Sequence, residues 1–146
     1  VVASIKEILE RGCLYDLNGL KVVIVGRGRL VGRPAAAWFT NQGAGVNLLG
    51  KDTEDLSPFT KNADIIISGA GVPNLITPDM LPEKSDTRLG GVVIIDAATS
   101  DVSGKIVGDV DLACAGKSLI FSPVPGGVGP ITVAMLFKNL LILNNI

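Results

Sequence analysis

The run Lys21-Val-Val-Ile-Val25, followed at once by glycines at 26, 28 and 32, constrains this chain more than any other stretch. An uninterrupted β-branched run fits a strand buried on both faces, as in a parallel sheet covered by other layers. Glycines at its end let the backbone turn tightly into a helix whose N–H groups can face an anion. Val31 to Asn41 reads as that helix, with Pro34 in its first turn and Gly43 at its end. The spacing is G-x-G-x-x-x-G, one residue longer than the usual dinucleotide fingerprint. Two uses therefore stand side by side: a cradle for a pyrophosphate, or a turn that permits close packing.

The rest of the chain repeats the alternation. Val1, Ile5, Ile8 and Leu9 recur at helical spacing up to Gly12. Val46–Leu49, Ile65–Ser68, Val92–Ile95 and Leu119–Phe121 read as four further strands. Between them stand a short polar helix over Asp55–Asn62, a helical turn over Pro78–Leu81 and a small hairpin around Ser103-Gly104-Lys105. A last helix begins near Pro130-Ile131-Thr132 and continues as an apolar tract to Ile146. The pattern predicts an α/β, Rossmann-like, doubly wound and mostly parallel sheet with helices on both faces, forming one domain over 1–146. The loops that follow the strands then share one edge, where a ligand would bind.

Several function classes drop out. The chain of 146 residues has 13 Lys+Arg against 14 Asp+Glu, scattered, so there is no basic field for a nucleic-acid backbone. It has no His, which removes His-based acid–base chemistry and Ser-His triads. Asp and Glu form no cluster with metal-ligand spacing; Asp109 and Asp111 are expected in a hairpin, ordering turns. Cys13 and Cys114 stand alone and are expected to be buried thiols in a reducing compartment, consistent with a cytoplasmic location. No stretch reaches the roughly 18 apolar residues of a membrane span, and no signal peptide is visible. The chain opens on Val1 and directly on a helical pattern, so a piece of a longer protein is expected.

Besides the glycine loop after the first strand, two places remain that can carry chemistry. After the second strand, where an NAD-selective site usually has an acid for the ribose hydroxyls, stand Gly50 and Lys51. With Arg27 and Arg29 from the glycine loop, Lys51 can form a seat for a 2′-phosphate. The other reading is three solvated surface charges, and a small turn of the loop would bring the Asp52 carboxylate into the acidic role. Gly116-Lys117-Ser118 is no phosphate loop, because the required first glycine would be at Asp111 and the segment precedes a strand. The second place is Pro123-Val-Pro-Gly-Gly-Val-Gly-Pro130, with three prolines and three glycines in eight residues. It reads as a rigid wall with exposed N–H groups at the edge of the last strand.

Five segments, in order, carry a resemblance: Val25-Gly-Arg-Gly-Arg-Leu-Val-Gly-Arg-Pro34, Ala63-Asp-Ile-Ile-Ile-Ser68, Gly71-Val-Pro-Asn74, Val107-Gly-Asp-Val-Asp111 and Pro123-Val-Pro-Gly-Gly-Val-Gly-Pro-Ile-Thr-Val-Ala-Met-Leu136. Together they resemble the C-terminal NAD(P)-binding domain of the bifunctional methylenetetrahydrofolate dehydrogenase/methenyltetrahydrofolate cyclohydrolase family. The resemblance implies an enzyme in which a nicotinamide cofactor takes hydride from the methylene bridge and water opens the methenyl product to 10-formyltetrahydrofolate. It implies NADP as cofactor, with NAD as the alternative, a folate substrate shared with an N-terminal domain outside these residues, and a homodimer. The family's Tyr and Lys constellation belongs to that other domain; Tyr15 and Lys21 do not reproduce it, so no catalytic residue is assigned here. The cofactor-binding residues it implies are Gly26, Arg27, Gly28, Arg29, Leu30, Val31, Lys51, Gly69, Gly71, Pro73, Thr99, Gly127 and Thr132. Gly28 stands where the family commonly has Ser, Gly50-Lys51 where it often has His-Ser, and Ala98-Thr99-Ser100 where Gly-Ile-Asn is usual. The competing class is a nucleotide-binding or dimerisation module without catalysis.

Overall fold

The computed structural model describes residues 1–145; Ile146, the end of the apolar tract noted above, lies outside the described residues. Helix α1 (Val2–Arg11) leads into strand β1 (Lys21–Val25), helix α2 (Gly32–Asn41), strand β2 (Gly45–Leu49), the single turn α3 (Ser57–Thr60) and strand β3 (Ile65–Ser68). Strand β4 (Val92–Asp96), the hairpin strands β5 (Ser100–Val102) and β6 (Lys105–Val107), strand β7 (Ser118–Ser122) and helix α4 (Val128–Leu143) follow. Five strands form one parallel sheet in the order β2-β1-β3-β4-β7, and β5 pairs with β6 antiparallel beside it.

Each central strand is buried on both faces, which is why its sequence is continuously apolar. Val22, Ile24, Ile65, Ile67, Val93 and Ile95 point to the side where Ile5, Leu9, Ala35, Phe39 and Val128 come from α1, α2 and the start of α4. Val23, Val25, Ile66, Val92 and Ile94 point to the other side, against Leu56, Ile76, Leu81, Val110 and Cys114. That second layer is thin: α3 and 3₁₀ turns at Pro78–Met80, Lys84–Asp86 and Leu112–Lys117 supply it. The polar helix expected over Asp55–Asn62 contracts to α3, because the Asp55 carboxylate accepts the Ser57 N–H at 2.9 Å and Pro58 removes a donor. Helix α4 starts two residues before Pro130, which sits in the first turn, where its missing N–H is not needed.

The cysteine expectation is half corrected. Cys114 is buried, and burial pushes its thiol up to about 11. Cys13 is exposed, on left-handed backbone at φ +61° just past the end of α1, where the chain leaves the core. Among the described residues no helix is long and apolar enough to cross a membrane.

The strand order places the reversal point of the sheet between β1 and β3. One crossover runs from β1 outward to β2, and the next returns across β1 to β3. The loops after β1 and β3 therefore part on opposite sides and leave a crevice at the carboxyl ends of the strands. Register keeps those ends level: Val25 lies opposite Leu49 and Ser68, and Ser68 opposite Asp96.

Candidate functional site

The glycines at the crevice divide into two kinds. At Gly26, with φ +106°, a Cβ would stand 2.5 Å from the Gly69 carbonyl oxygen. At Gly32 it would collide with the Gly26 carbonyl, and at Gly69 it would come within 2.7 Å of the Val31 side chain. These three let the β1 loop, the first turn of α2 and the β3 loop touch, so for them the close-packing reading holds. Gly28 and Gly71 meet nothing within 4 Å, and a side chain there would fill open space in front of the crevice. Beside Gly28, no hydrogen bond among the described residues takes up the N–H groups of Gly28 to Val31, and no side chain caps α2. Unclaimed N–H groups at a helix start are what an anion needs. Leu30 is 80% exposed at the tip of this loop, while Val31 is buried against Gly69.

At the end of β2 the three expected cations do not behave alike. Arg27 folds over the strand: its Nε and Nη2 donate to the Leu48 carbonyl at 3.4 Å, and its Nη1 lies 3.0 Å from Asp52 Oδ1. Arg29 and Lys51 are exposed and have no ion pair among the described residues.

The loop after β3 is shaped from a distance by a residue that sequence reasoning assigns to a hairpin turn. Asp109 lies just past β6 and is fully buried. Its Oδ2 accepts from Ser68 Oγ at 2.6 Å, from Ala70 N at 2.7 Å and from Gly71 N at 3.3 Å; its Oδ1 accepts from Val72 N at 2.8 Å. The carboxylate thus curls residues 69–72 around itself and sets the position of Gly71, with Pro73 exposed just beyond. Asp111, also past the hairpin, caps the following 3₁₀ turn by accepting the Ala113 N–H. Asp96, at the end of β4, does for the next loop what Asp109 does for this one: it accepts from Ala98 N at 3.1 Å and from Val110 N at 2.9 Å. Burial raises its pKa against the pull of those N–H groups, and the nearby Asp109 charge adds to the rise. No motif spacing could have found the Asp109 contacts, since its partners are 37 to 41 residues away.

The proline–glycine loop after β7 walls an open cleft of about 430 Å³, opposite Ala97–Thr99 and Ile106. Thr99 is exposed there. Gly126 takes φ +94° with free space around it, whereas Gly127 is buried and a Cβ on it would collide with Ser122 Oγ and the Pro123 carbonyl. A branched side chain at Gly127 would therefore disrupt the loop itself. Thr132 lines the cleft, but its hydroxyl is already committed, to the Val128 carbonyl at 2.9 Å and to Ser4 Oγ at 2.8 Å, tying α4 to α1. Among the described residues no group of three or more potential metal ligands occurs.

Comparison with known proteins gives this geometry a context. The family model "Tetrahydrofolate dehydrogenase/cyclohydrolase, NAD(P)-binding domain" matches residues 2–145. The bifunctional protein FolD of a Nitratiruptor species is 45% identical over 125 residues, 85% of this chain and 42% of that protein. Among solved structures, the FolD methylenetetrahydrofolate dehydrogenase/cyclohydrolase of Campylobacter jejuni superposes with a TM-score of 0.85 at 41% identity, covering 94% of this chain and 47% of that one. The Trypanosoma brucei FolD enzyme, complexed with NADP cofactor and inhibitor, gives 0.83 at 33% identity, covering 96% and 48%. A dipicolinate synthase polypeptide of Bacillus halodurans, at 19% identity and a TM-score of 0.58, shares the fold. This chain spans less than half the length of its FolD relatives.

Proposed function

Since the chain belongs to the family of tetrahydrofolate dehydrogenase/cyclohydrolase NAD(P)-binding domains, we propose that it holds NADP in the crevice between β1 and β3, for a folate one-carbon enzyme. The observation that carries this reading is the β1 loop, where the N–H groups of Gly28 to Val31 have no partner among the described residues and the space around Gly28 is open, next to Arg27. The fit is chemical as well as spatial. N–H groups at a helix start suit a pyrophosphate, and guanidinium suits the oxygens of a 2′-phosphate.

In this reading Gly26, Gly28, Arg29, Leu30 and Val31 form the phosphate loop, and Arg27 with Lys51 selects the phosphorylated ribose. Gly69, Gly71 and Pro73 form the opposing wall, and Thr99, Gly127 and Thr132 border the cleft where the reactive end of the cofactor meets substrate. When bound, a nicotinamide dinucleotide supplies a hydride acceptor. This chain's residues bind it, orient it and exclude water on one side; holding the folate and moving protons fall to the remainder of the polypeptide. The activity of the whole is oxidation of 5,10-methylenetetrahydrofolate to 5,10-methenyltetrahydrofolate, followed by hydrolysis to 10-formyltetrahydrofolate.

The exposed face of α4 suits that division of labour. Leu136, Phe137, Leu140 and Ile142 are each more than half exposed, on a helix that is apolar nearly all round. The occupant we assign to it is the part of the polypeptide that the relatives carry beyond the matched half. A homodimer and a cytoplasmic location complete the proposal. The test joins turnover to binding: the 146-residue chain binds NADP by calorimetry and shows neither dehydrogenase nor cyclohydrolase activity, whereas a full-length protein shows both. Turnover by the chain alone, or no binding of NADP, overturns this assignment.

A further inference from the structure

The end of β2 holds a contact that a seat for a 2′-phosphate does not need. Asp52 lies across Arg27, with its Oδ1 3.0 Å and its Oδ2 3.1 Å from Arg27 Nη1. The pair spans Gly50, where a Cβ would stand 3.0 Å from Arg27 Cδ and Nε and 3.1 Å from Asp52 Oδ1. A glycine at 50 is thus what lets the guanidinium and the carboxylate meet over the strand end. The two side chains are 48% and 66% exposed, so the contact is cheap to break and contributes little to the fold. Arg27 has a second anchor in the Leu48 carbonyl, which holds the guanidinium at the strand end without Asp52.

We infer that Asp52 sets cofactor selectivity by competing with a 2′-phosphate for Arg27 and by accepting a hydrogen bond from the 2′-hydroxyl when no phosphate is there. This deepens the dinucleotide reading above and rests on it. A phosphate arriving at Arg27 must first displace the carboxylate from the guanidinium, which costs affinity. A ribose 2′-hydroxyl meets no such opposition, because an acid near the end of the second strand is the usual acceptor for it. Asp52 therefore narrows the preference for NADP that Arg27 and Lys51 create, and the chain accepts both dinucleotides.

The experiment is a double-mutant cycle in which NADP and NAD are titrated calorimetrically into the 146-residue chain and its Asp52→Asn, Arg27→Ala and doubly substituted forms. Asp52→Asn keeps the shape and removes the charge. It should raise NADP affinity about threefold or more and leave NAD equal or weaker. With Arg27→Ala present, Asp52→Asn should give no such gain. An unchanged or lower NADP affinity in Asp52→Asn overturns the inference, and so does a gain that persists without Arg27, which would be a general charge effect. If the unsubstituted chain binds neither dinucleotide, the dinucleotide reading itself fails, an outcome distinct from binding without a selectivity change. Asp52→Ala, whose shorter side chain cannot hydrogen-bond, must give the same direction for NADP as Asp52→Asn; the opposite direction also overturns the inference.

Discussion

At Gly26 an added methyl group would meet the Gly69 carbonyl on left-handed backbone, while two residues on, at Gly28, it would meet nothing within 4 Å. The two alanine variants should separate accordingly. Gly26→Ala combines strain with overpacking and should cost about 3 kcal/mol, read as a lower melting temperature. Gly28→Ala should melt with the parent and lose about tenfold in NADP affinity, about 1.4 kcal/mol. Equal stability losses at both would mean that the loop is structural throughout. Asp109→Asn offers a second test, because an amide cannot accept all the hydrogen bonds that its carboxylate takes from Ser68, Ala70, Gly71 and Val72. It should lower stability by about 2 to 4 kcal/mol, checked by urea denaturation. A glycine pattern is legible in sequence; which glycine faces its own backbone and which faces solvent depends on a loop more than thirty residues downstream. The same holds for Gly127, which looks like a ligand-facing glycine until Ser122 and the Pro123 carbonyl are placed against it.

The elements that could be read directly are those with one dominant local signal. Strands β1, β3 and β4 are β-branched runs buried throughout but for Lys21 at the start of β1, and their expected limits are met to within a residue. Helix α3 is shorter than its sequence suggests, because an Asp turn and a proline outweigh weak helical periodicity. The layer covering the second face is legible only as scattered turns, since 3₁₀ segments have no apolar period of their own. Helix α4 carries the strongest message at this scale: it is apolar on nearly every side, yet only Val128 in it is buried. A helix like that is complete only when another body covers it. Replacing Phe137 and Leu140 by Lys should leave the melting temperature of this chain within a few degrees and reduce its self-association in light scattering. In a full-length protein the same change should destabilise the assembly by several kcal/mol as two apolar anchors lose their cover. A large loss of stability in the short chain would instead place α4 inside this domain's own core.

For the whole molecule, the sheet order matters more than any one motif. Because β1 is flanked by β2 on one side and β3 on the other, the loops that carry Gly28, Lys51 and Gly71 open onto one crevice, although 43 residues separate the first from the last. The alternation of strands and helices in the sequence is enough to expect such an edge. Which loops face each other across it follows only from the crossover geometry. The chain spans less than half the length of its FolD relatives, and the proposal is that it positions a cofactor. The most direct measurement of that claim is an amide-resolved NMR titration of the 146-residue chain with NADP. Saturable shifts are expected at 26–32, 50–52, 69–73 and 97–99, with the α4 amides beyond residue 135 unmoved. Shifts confined to other surfaces, or none at millimolar NADP, would contradict it.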